Sequence, residues 1–242
     1  MAQTLQGKTV LVTGAARRIG RSIALALAEA GAQVAIHYRG SEAEALATAK
    51  ECGGRAFQAD LADVAQIRRL FAEVQDAYGR LDALVNNAAQ YRRTPILETE
   101  PADWDALHSA NLRAVYFCCQ AAARIMFEQP SGGRIVNLSS LGGLRPWAGY
   151  APYNASKAGV IHMTRSLAKE LAPKISVNSV APGVIEFSDE HEPSVQRMID
   201  ATPMRRHGTG EEIAEAVLFF LTATPFITGQ ILAVDGGLSL RA

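Results

Sequence analysis

The sequence predicts an α/β fold in which a mainly parallel seven-stranded sheet carries helices on both faces. Strand and helix patterns alternate along almost the whole chain, which repeats a βαβ unit. The first strand pattern, at residues 9–13, is a continuous apolar and β-branched run, typical of a parallel strand buried on both faces. We therefore expect one doubly wound domain over residues 1–242.

The elements follow from apolar periodicity and from turn residues. The predicted strands lie at residues 9–13, 34–36, 55–59, 84–85, 134–138, 175–180 and 231–234. The predicted helices lie at residues 18–30, 42–51, 63–78, 104–127, 153–171 and 211–221. Only residues 184–208 break this rhythm, and they contain Pro193 and Pro203. Long irregular segments in such folds are often lids or binding loops, so we predict a substrate loop here, with a plain surface excursion as the alternative.

Composition excludes several classes of partner. The 24 basic and 24 acidic residues give a formal net charge of +0, which offers no electrostatic support for binding nucleic acid. The 3 cysteines lack the spacing of a disulfide framework, and the 5 histidines lack metal-ligand spacing, so no metal site is predicted. No apolar run is long enough for a membrane span, and the N-terminus lacks a signal pattern. We expect a soluble cytoplasmic protein with no membrane contact.

A glycine-bearing turn follows the first predicted strand and opens the first predicted helix. Free backbone N–H groups and the helix dipole favour a phosphate at such a place. Gly14 permits the tight turn, and Gly20 lets the helix pack close to the sheet. The strand–turn–helix context predicts a Rossmann-type dinucleotide site, whose phosphate end is formed by Gly14, Arg18, Ile19 and Gly20.

The end of the second predicted strand bears on which dinucleotide binds. Sites for NAD place Asp or Glu there to hold the ribose 2′-hydroxyl, but this chain has no acid at the corresponding position. The residues present are His37, Tyr38, Arg39 and Ser41. Arg39 and Ser41 can hold a 2′-phosphate, so NADPH is predicted as the cofactor. In the alternative interpretation, Arg39 is only a solvent-facing loop residue.

Further cofactor contacts are expected at the carboxyl ends of the next strands, where ligands bind in open α/β sheets. Asp60 and Leu61 follow the third strand, and Asp60 is placed to accept from an adenine amino group. Its competing role is a cap of the following helix. Asn87 and Ala88 end the fourth strand, where their backbone would border the cofactor ribose.

A candidate proton donor lies downstream. Tyr153 and Lys157 are four positions apart on a predicted helix and share a face. A tyrosine has a pKa of about 10, and a nearby ammonium lowers it. Ser140 ends the fifth strand and can hydrogen-bond a substrate oxygen or nitrogen. Asn111, inside a long predicted helix, can interrupt that helix and hold a water in a proton relay.

Together these motifs resemble the short-chain dehydrogenase/reductase family over essentially the whole chain, including Pro182 and Gly183. The resemblance implies that Asn111, Ser140, Tyr153 and Lys157 are the catalytic tetrad, with Tyr153 as proton donor. Lys157 would hold the nicotinamide ribose and depress the phenol pKa. It also implies Pro182 and Gly183 at the cofactor, and a homotetramer joined through the two long helices, with small residues on the Tyr153 helix permitting close approach.

Two departures from the usual family pattern are informative, and the first of them points to one branch. The turn has Arg18 where the family usually has glycine, and Ala89 stands where the family usually has glycine after Asn-Asn-Ala. The arginine, with His37-Tyr38, resembles pteridine reductases, in which it contacts cofactor phosphate and the pterin. Tyr91 matches the aromatic residue that stacks on the pterin. Ser140 differs from the aspartate usual in that branch and suits a carbonyl equally well.

Three functions follow. The first is NADPH-dependent reduction of a dihydropterin, with Arg18, Tyr91, Ser140 and Tyr153 at the substrate. The second keeps the chemistry and takes a ketone, such as a 3-oxoacyl thioester or a steroid. The third is a sensor that binds NADPH without turnover. The small-molecule substrate is therefore a pterin or a ketone for the two enzyme hypotheses.

Overall fold

Every strand lies in one parallel sheet, in the order β3-β2-β1-β4-β5-β6-β7. The structure, a computed structural model, describes residues 4–187 and 193–240. The strands are β1 Thr9–Val12, β2 Gln33–Tyr38, β3 Arg55–Gln58, β4 Ala83–Asn86, β5 Gly133–Leu138, β6 Ile175–Pro182 and β7 Ile231–Val234. The predicted α/β class, parallel sheet and helices on both faces are confirmed.

The helices alternate with these strands. They are α1 Arg18–Glu29, α2 Glu42–Cys52, α3 Val64–Tyr78, α4 Pro101–His108, α5 Ala114–Glu128, α6 Leu141–Leu144, α7 Ala151–Leu171, α8 Pro193–Ala201 and α9 Gly210–Thr222. No helix of the described part of the chain is long and apolar enough to cross a membrane.

Two apolar layers lie on opposite faces of the sheet, because successive side chains of a strand point to opposite sides. Val10 and Val12 pack with residues of α1 and α9 in one layer. Leu11 lies between them in the chain but packs with α3 and α5 in the other layer. All four residues of β1 are buried, as the continuous apolar run predicts.

The strand order reverses at β1, which pairs with β2 on one side and with β4 on the other. The chain builds the sheet outward from β1 to β3 and then returns to the opposite side of β1. Such a switch point opens a crevice at the carboxyl ends of the strands. The glycine turn after β1 and the residues after β4 therefore share one ligand-binding edge.

The long helix predicted at residues 104–127 is interrupted in the structure. It consists of α4, a π-helical segment Ser109–Arg113 and α5. The helix begins earlier than predicted because Pro101 occupies its first turn and Glu100 forms a capping box with Asp103. The local interruption expected at Asn111 is confirmed, since Asn111 lies in the π-helical segment.

The segment 184–208 is not wholly irregular. It contains α8. Near its two ends, Ile185 and Gly208 pair in an isolated parallel β-bridge. The proline at position 193 begins this helix rather than breaking it, because proline is tolerated at the first position of a helix. Residues 188–192 of the predicted substrate loop lie outside the described residues.

Candidate active site

The turn after β1 is built by two close backbone approaches. Gly14 has a φ of +63°, a left-handed conformation that glycine adopts without strain. A Cβ on Gly20 would lie 2.2 Å from the carbonyl oxygen of Gly14, so only glycine fits there. The N-cap residue of α1, Arg17, makes no side-chain cap hydrogen bond. The first-turn N–H groups at Arg18 and Ile19 are therefore placed to receive a phosphate, and the site fits a dinucleotide.

Arg18 itself has a φ of 53° and is exposed. This left-handed conformation crowds the Cβ of any residue other than glycine. Its side chain is accessible to solvent at the phosphate turn. The strained backbone therefore coincides with one of the positions where the sequence departs from the pattern of the family it resembles.

Asn87 and Thr13 lock this turn to the end of β4. The Asn87 side chain donates to the carbonyl oxygens of Thr13 and Gly14, at 2.9 and 3.0 Å. The Thr13 hydroxyl accepts from the backbone N–H groups of Asn87 and Ala88, at 2.9 and 3.0 Å. Sequence reasoning found Asn87 and Ala88 but missed Thr13, which reads as an ordinary strand residue until its partners are known.

His37 supports the turn from inside the protein. It is 2 % exposed, its Nδ1 accepts from the N–H of Gly14 at 3.0 Å, and its Nε2 lies 3.0 Å from the carbonyl oxygen of Ala59. Burial lowers its pKa to about 4, so the ring is neutral, with Nε2 as the donor. Both ring nitrogens already have protein partners and are not free to bind a cofactor, and the cofactor contact expected of His37 stays a prediction.

The residues expected at the adenosine 2′-position gather at the start of α2. Ser41 is the N-cap of α2 and makes no side-chain cap hydrogen bond, and Arg39 is exposed beside it. Tyr38 donates from its hydroxyl to Glu42 at 3.3 Å. A hydroxyl, a guanidinium and a helix N-terminus therefore lie close together in the chain at this edge.

The other predicted cofactor residues border the same crevice. The Asp60 carboxylate accepts from the N–H of Ala62 at 3.0 Å, while Asp63 caps α3, so the cap role weighed for Asp60 belongs to Asp63. Leu61 follows it, half-buried. Across the sheet, Pro182 ends β6, and a Cβ on Gly183 would lie 2.7 Å from the Cα of Asp235.

Tyr153, Ser140 and Lys157 meet at the carboxyl end of β5. Ser140 Oγ accepts from the N–H of Gly142 at 3.0 Å, and it lies close enough to the Tyr153 phenol to act on the phenol pKa. Lys157 Nζ donates to the carbonyl oxygen of Leu138 at 2.8 Å and lies 6.0 Å from the centre of the Tyr153 ring. All three side chains are buried, because α6 and the start of α7 pack over the strand ends.

The electrostatics of this group differ from the sequence expectation. Burial raises the pKa of Tyr153 above its ordinary value, and the neighbouring Ser140 side chain opposes the rise only in part. Burial also lowers the pKa of Lys157 to about 8. The expected depression of the phenol pKa by Lys157 is therefore not found in this structure, because desolvation weakens the charge of the lysine and penalises the phenolate.

Asn111 organises a loop as well as a helix. Its Oδ1 accepts from the N–H of Gln90 at 2.7 Å, and its Nδ2 donates to the carbonyl oxygen of Gln90 at 2.9 Å. Nδ2 also lies 3.3 Å from Ser156 Oγ. The side chain is thus occupied by protein groups, so the water-holding role expected of it is not supported. Asn111 fixes the segment that carries Tyr91.

Tyr91 stands at the mouth of the site. Its ring is 60 % exposed and meets the Tyr153 ring edge-on, with centres 5.1 Å apart. It stacks on Tyr150 with centres 5.0 Å apart. The structure thus places Tyr91 beside Tyr153, Ser140 and Lys157, with the phosphate turn at the same edge of the sheet.

Comparison with known proteins agrees with this geometry. A family model described as enoyl-(acyl carrier protein) reductase matches residues 14–239. A solved structure of a mutant short-chain dehydrogenase/reductase from Serratia marcescens superimposes with a TM-score of 0.91 at 34% identity, covering 97% of this chain and 99% of the other. This chain belongs to the short-chain dehydrogenase/reductase family. The predicted family is confirmed, and the chain is an oxidoreductase of that family.

Two curated relatives bear on the branch of the short-chain dehydrogenase/reductase family. The 3-oxoacyl-[acyl-carrier-protein] reductase of Synechocystis is 39% identical, over 97% of this chain and 98% of its own length. The protein of the same name from Staphylococcus aureus is 41% identical, over 96% and 98%. Both are similar to this chain and neither is a pteridine reductase, so the comparisons favour the ketone alternative over the predicted pteridine reductase branch.

Proposed function

We propose that this protein is an NADPH-dependent ketone reductase whose substrate is a 3-oxoacyl thioester. The observation that carries the proposal is the buried Tyr153 phenol, which lies beside Ser140 and Lys157 at the same edge of the sheet as a turn that fits a dinucleotide phosphate. The names of the two curated relatives support a 3-oxoacyl substrate. Intact proton-transfer geometry disfavours the alternative of a sensor that binds NADPH without turnover.

The residues of this chain have separate roles in such a reduction. A bound nicotinamide supplies the hydride for the carbonyl carbon. Tyr153 donates the proton to the carbonyl oxygen, and its raised pKa keeps the phenol protonated at neutral pH. Ser140 donates a hydrogen bond to the same oxygen, and Lys157 holds the ribose hydroxyls. Because Tyr153 and Lys157 are one turn apart on α7, proton donor and ribose holder are fixed together.

The choice of NADPH rests on the start of α2. Arg39 and Ser41, whose hydroxyl makes no capping hydrogen bond, offer a charge-assisted site for a 2′-phosphate. Arg39→Ala should raise the KM for NADPH several-fold while leaving that for NADH unchanged, because only NADPH carries the extra phosphate. Arg68→Ala, an exposed arginine on α3, is the control and should change neither value. Equal affinity of the unaltered protein for the two cofactors would refute the assignment.

The proposal is tested by the loss of NADPH absorbance with acetoacetyl-coenzyme A, run beside dihydrobiopterin. We expect turnover of the thioester. Tyr153→Phe should lower kcat about 10²–10⁴-fold, the usual contribution of general acid catalysis, while NADPH fluorescence still reports binding. Turnover of dihydrobiopterin alone would contradict the proposal.

Dihydropterin reduction is the second candidate because two observations favour it. The exposed ring of Tyr91 lies 5.1 Å from that of Tyr153, and the strained, exposed Arg18 lies on the phosphate turn. A flat pterin stacked on Tyr91 could reach both side chains. Tyr91→Ala should then weaken pterin binding far more than NADPH binding.

A homotetramer is proposed from the surface of α5 and α7. A groove of about 770 Å³ lies there, lined by apolar side chains that include Leu112, Tyr116 and Met163. Of the small residues expected to permit helix contact, Ala155 and Ala158 are exposed. Ser156 is instead buried inside the chain. Gly159 is half-buried against Leu112 and lines the groove. A cytoplasmic location remains a prediction.

A further inference from the structure

Two aromatic side chains, Tyr91 and Trp147, contact the Tyr153 ring, and a third, Tyr150, contacts both of them. We call these three side chains the aromatic wall. Tyr91 meets the Tyr153 ring edge-on, with centres 5.1 Å apart. Trp147 lies nearly parallel to it, with centres 6.4 Å apart and 13° between the planes. Tyr150 joins the two, stacked on Tyr91 at 5.0 Å and edge-on to Trp147 at 6.2 Å.

The aromatic wall is held in place by hydrogen bonds from two segments. On one side, Asn111 clamps the backbone of Gln90, next to Tyr91. On the other side, Asn154 Nδ2 donates to the carbonyl oxygen of Trp147 at 3.0 Å. The N–H of Thr94 donates to the carbonyl oxygen of Gly149 at 2.7 Å and ties the two segments together.

Gly142 lies against both the aromatic wall and the Tyr153 ring. A Cβ on Gly142 would lie 2.8 Å from Asn154 Oδ1, 3.3 Å from the Tyr153 ring and 3.4 Å from the Trp147 ring, so a larger residue would crowd Asn154 and Tyr153 first. Gly142 also donates its N–H to Ser140, so the same short helix α6 positions Ser140 and leaves room for the wall. The wall is therefore part of the framework around the proton donor.

The open face of the wall points to the substrate side of Tyr153. The loops after β4 and β5, at the carboxyl ends of the strands, carry its residues, and this is the edge where ligands bind in such sheets. Tyr91 leaves 60 % of its surface in water, although aromatic surface gains by burial. A flat ring held against this surface would place an attached carbonyl group near the Tyr153 phenol.

We propose that the aromatic wall makes this enzyme selective for ketones whose carbonyl carbon bears a flat aromatic ring. This inference rests on the proposed function and specifies its substrate class as 3-aryl-3-oxoacyl compounds. Aromatic rings prefer offset-stacked or edge-to-face contact with one another, which a puckered ring of the same size does not supply. The wall therefore distinguishes a flat ring from a saturated one.

The test compares ethyl benzoylacetate with ethyl 3-cyclohexyl-3-oxopropanoate, which differ only in whether the ring is aromatic. Conjugation lowers the intrinsic reactivity of the phenyl ketone, so the informative quantity is the change of the kcat/KM ratio between variants. Trp147→Leu and Tyr150→Leu should each lower the phenyl-to-cyclohexyl ratio roughly two- to tenfold, the range of one aromatic pair. Trp147→Phe keeps a flat ring and should retain most of the ratio.

Trp104→Leu is the matched control, because Trp104 is a half-exposed tryptophan on α4 that stacks on His108, outside the wall. The ratio should not change in this variant. An unchanged ratio in both Trp147→Leu and Tyr150→Leu, or an equal change in Trp104→Leu, would overturn the inference. Turnover of acetoacetyl-coenzyme A without either ester would also overturn it and leave the proposed function standing. No turnover of any ketone would refute both.

Discussion

At the scale of one residue, burial of the Lys157 ammonium group lowers the stability of the folded protein. Its side chain is 3 % exposed, and its ammonium group has no carboxylate within 4.0 Å in the described part of the chain. A pKa lowered from 10.5 to about 8 corresponds to about 3 kcal/mol against the charged form. The same burial keeps Tyr153 protonated, which a proton donor requires.

Lys157→Met should therefore abolish reduction and raise the free energy of unfolding at pH 7 by roughly 1–3 kcal/mol. Between pH 8 and 10.5 the unfolded chain binds the proton that the folded protein has lost, so the stability of the unaltered protein rises with pH. The advantage of the variant should shrink through this window and vanish above it. Urea unfolding at several pH values measures it, and a less stable variant at pH 7 would contradict this account.

At the scale of elements, the Thr13 hydroxyl group strengthens the junction between the ends of β1 and β4, which strand pairing and the Asn87 side chain also join. Thr13 Oγ1 accepts from the N–H groups of Asn87 and Ala88, and it lies directly after β1. At the other end of the same strand, Thr9 is equally buried, and its hydroxyl donates to the side chain of Gln33 at 3.4 Å. The two threonines are buried to the same extent at opposite ends of β1 but bind different partners, so Thr9 is a suitable control for Thr13.

Thr13→Val should weaken NADPH binding and lower the free energy of unfolding by about 1–3 kcal/mol, because it leaves two backbone N–H groups without their acceptor. Thr9→Val should leave NADPH binding unchanged, since it lies at the amino end of β1, away from the cofactor edge. Fluorescence titration with NADPH and thermal unfolding of both variants provide the measurement. Equal losses of NADPH affinity would show that Thr13 has no special role in the turn.

The π-helical segment is the other feature that belongs to the element scale. It separates α4 from α5 and brings Asn111 against Gln90 on one side and Ser156 of α7 on the other. In a regular α-helix the Asn111 side chain would point in a different direction, because a π-helix has more residues per turn. The interruption therefore connects a helix of the sheet layer to the loop that holds Tyr91.

At the scale of the whole molecule, the groove on α5 and α7 yields a prediction about assembly. An exposed apolar face of this kind is stabilised by covering it, so the protein should be a tetramer in solution. Tyr116 is 43% exposed on this face. Tyr116→Asp should dissociate the tetramer, because it places a charge in an apolar contact.

Light scattering after size-exclusion chromatography measures the mass of each form. Leu46→Asp is the control, because Leu46 is an exposed leucine on α2, away from the groove, and this change should leave the mass unaltered. A monomer of the unaltered protein, or a tetramer of Tyr116→Asp, would contradict the proposed contact.

The sequence alone determined the strand and helix alternation, the glycine turn and the pairing of Tyr153 with Lys157. These are local patterns, in which apolar periodicity, backbone freedom and helical spacing act over a few residues. Within the segment 184–208 the sequence did not predict α8, because proline marks both loop residues and helix starts, and only the folded chain distinguishes them.

Only the tertiary structure decided the burial of His37, the duty of Thr13, the aromatic wall and the direction of the Tyr153 pKa. Each depends on groups distant in the chain: His37 meets Gly14 and Ala59, and Tyr91 meets Tyr150 and Tyr153. Burial and electrostatics are properties of such long-range packing. Residue spacing therefore located the proposed proton donor, Tyr153, but the fold around it sets the direction of its pKa shift.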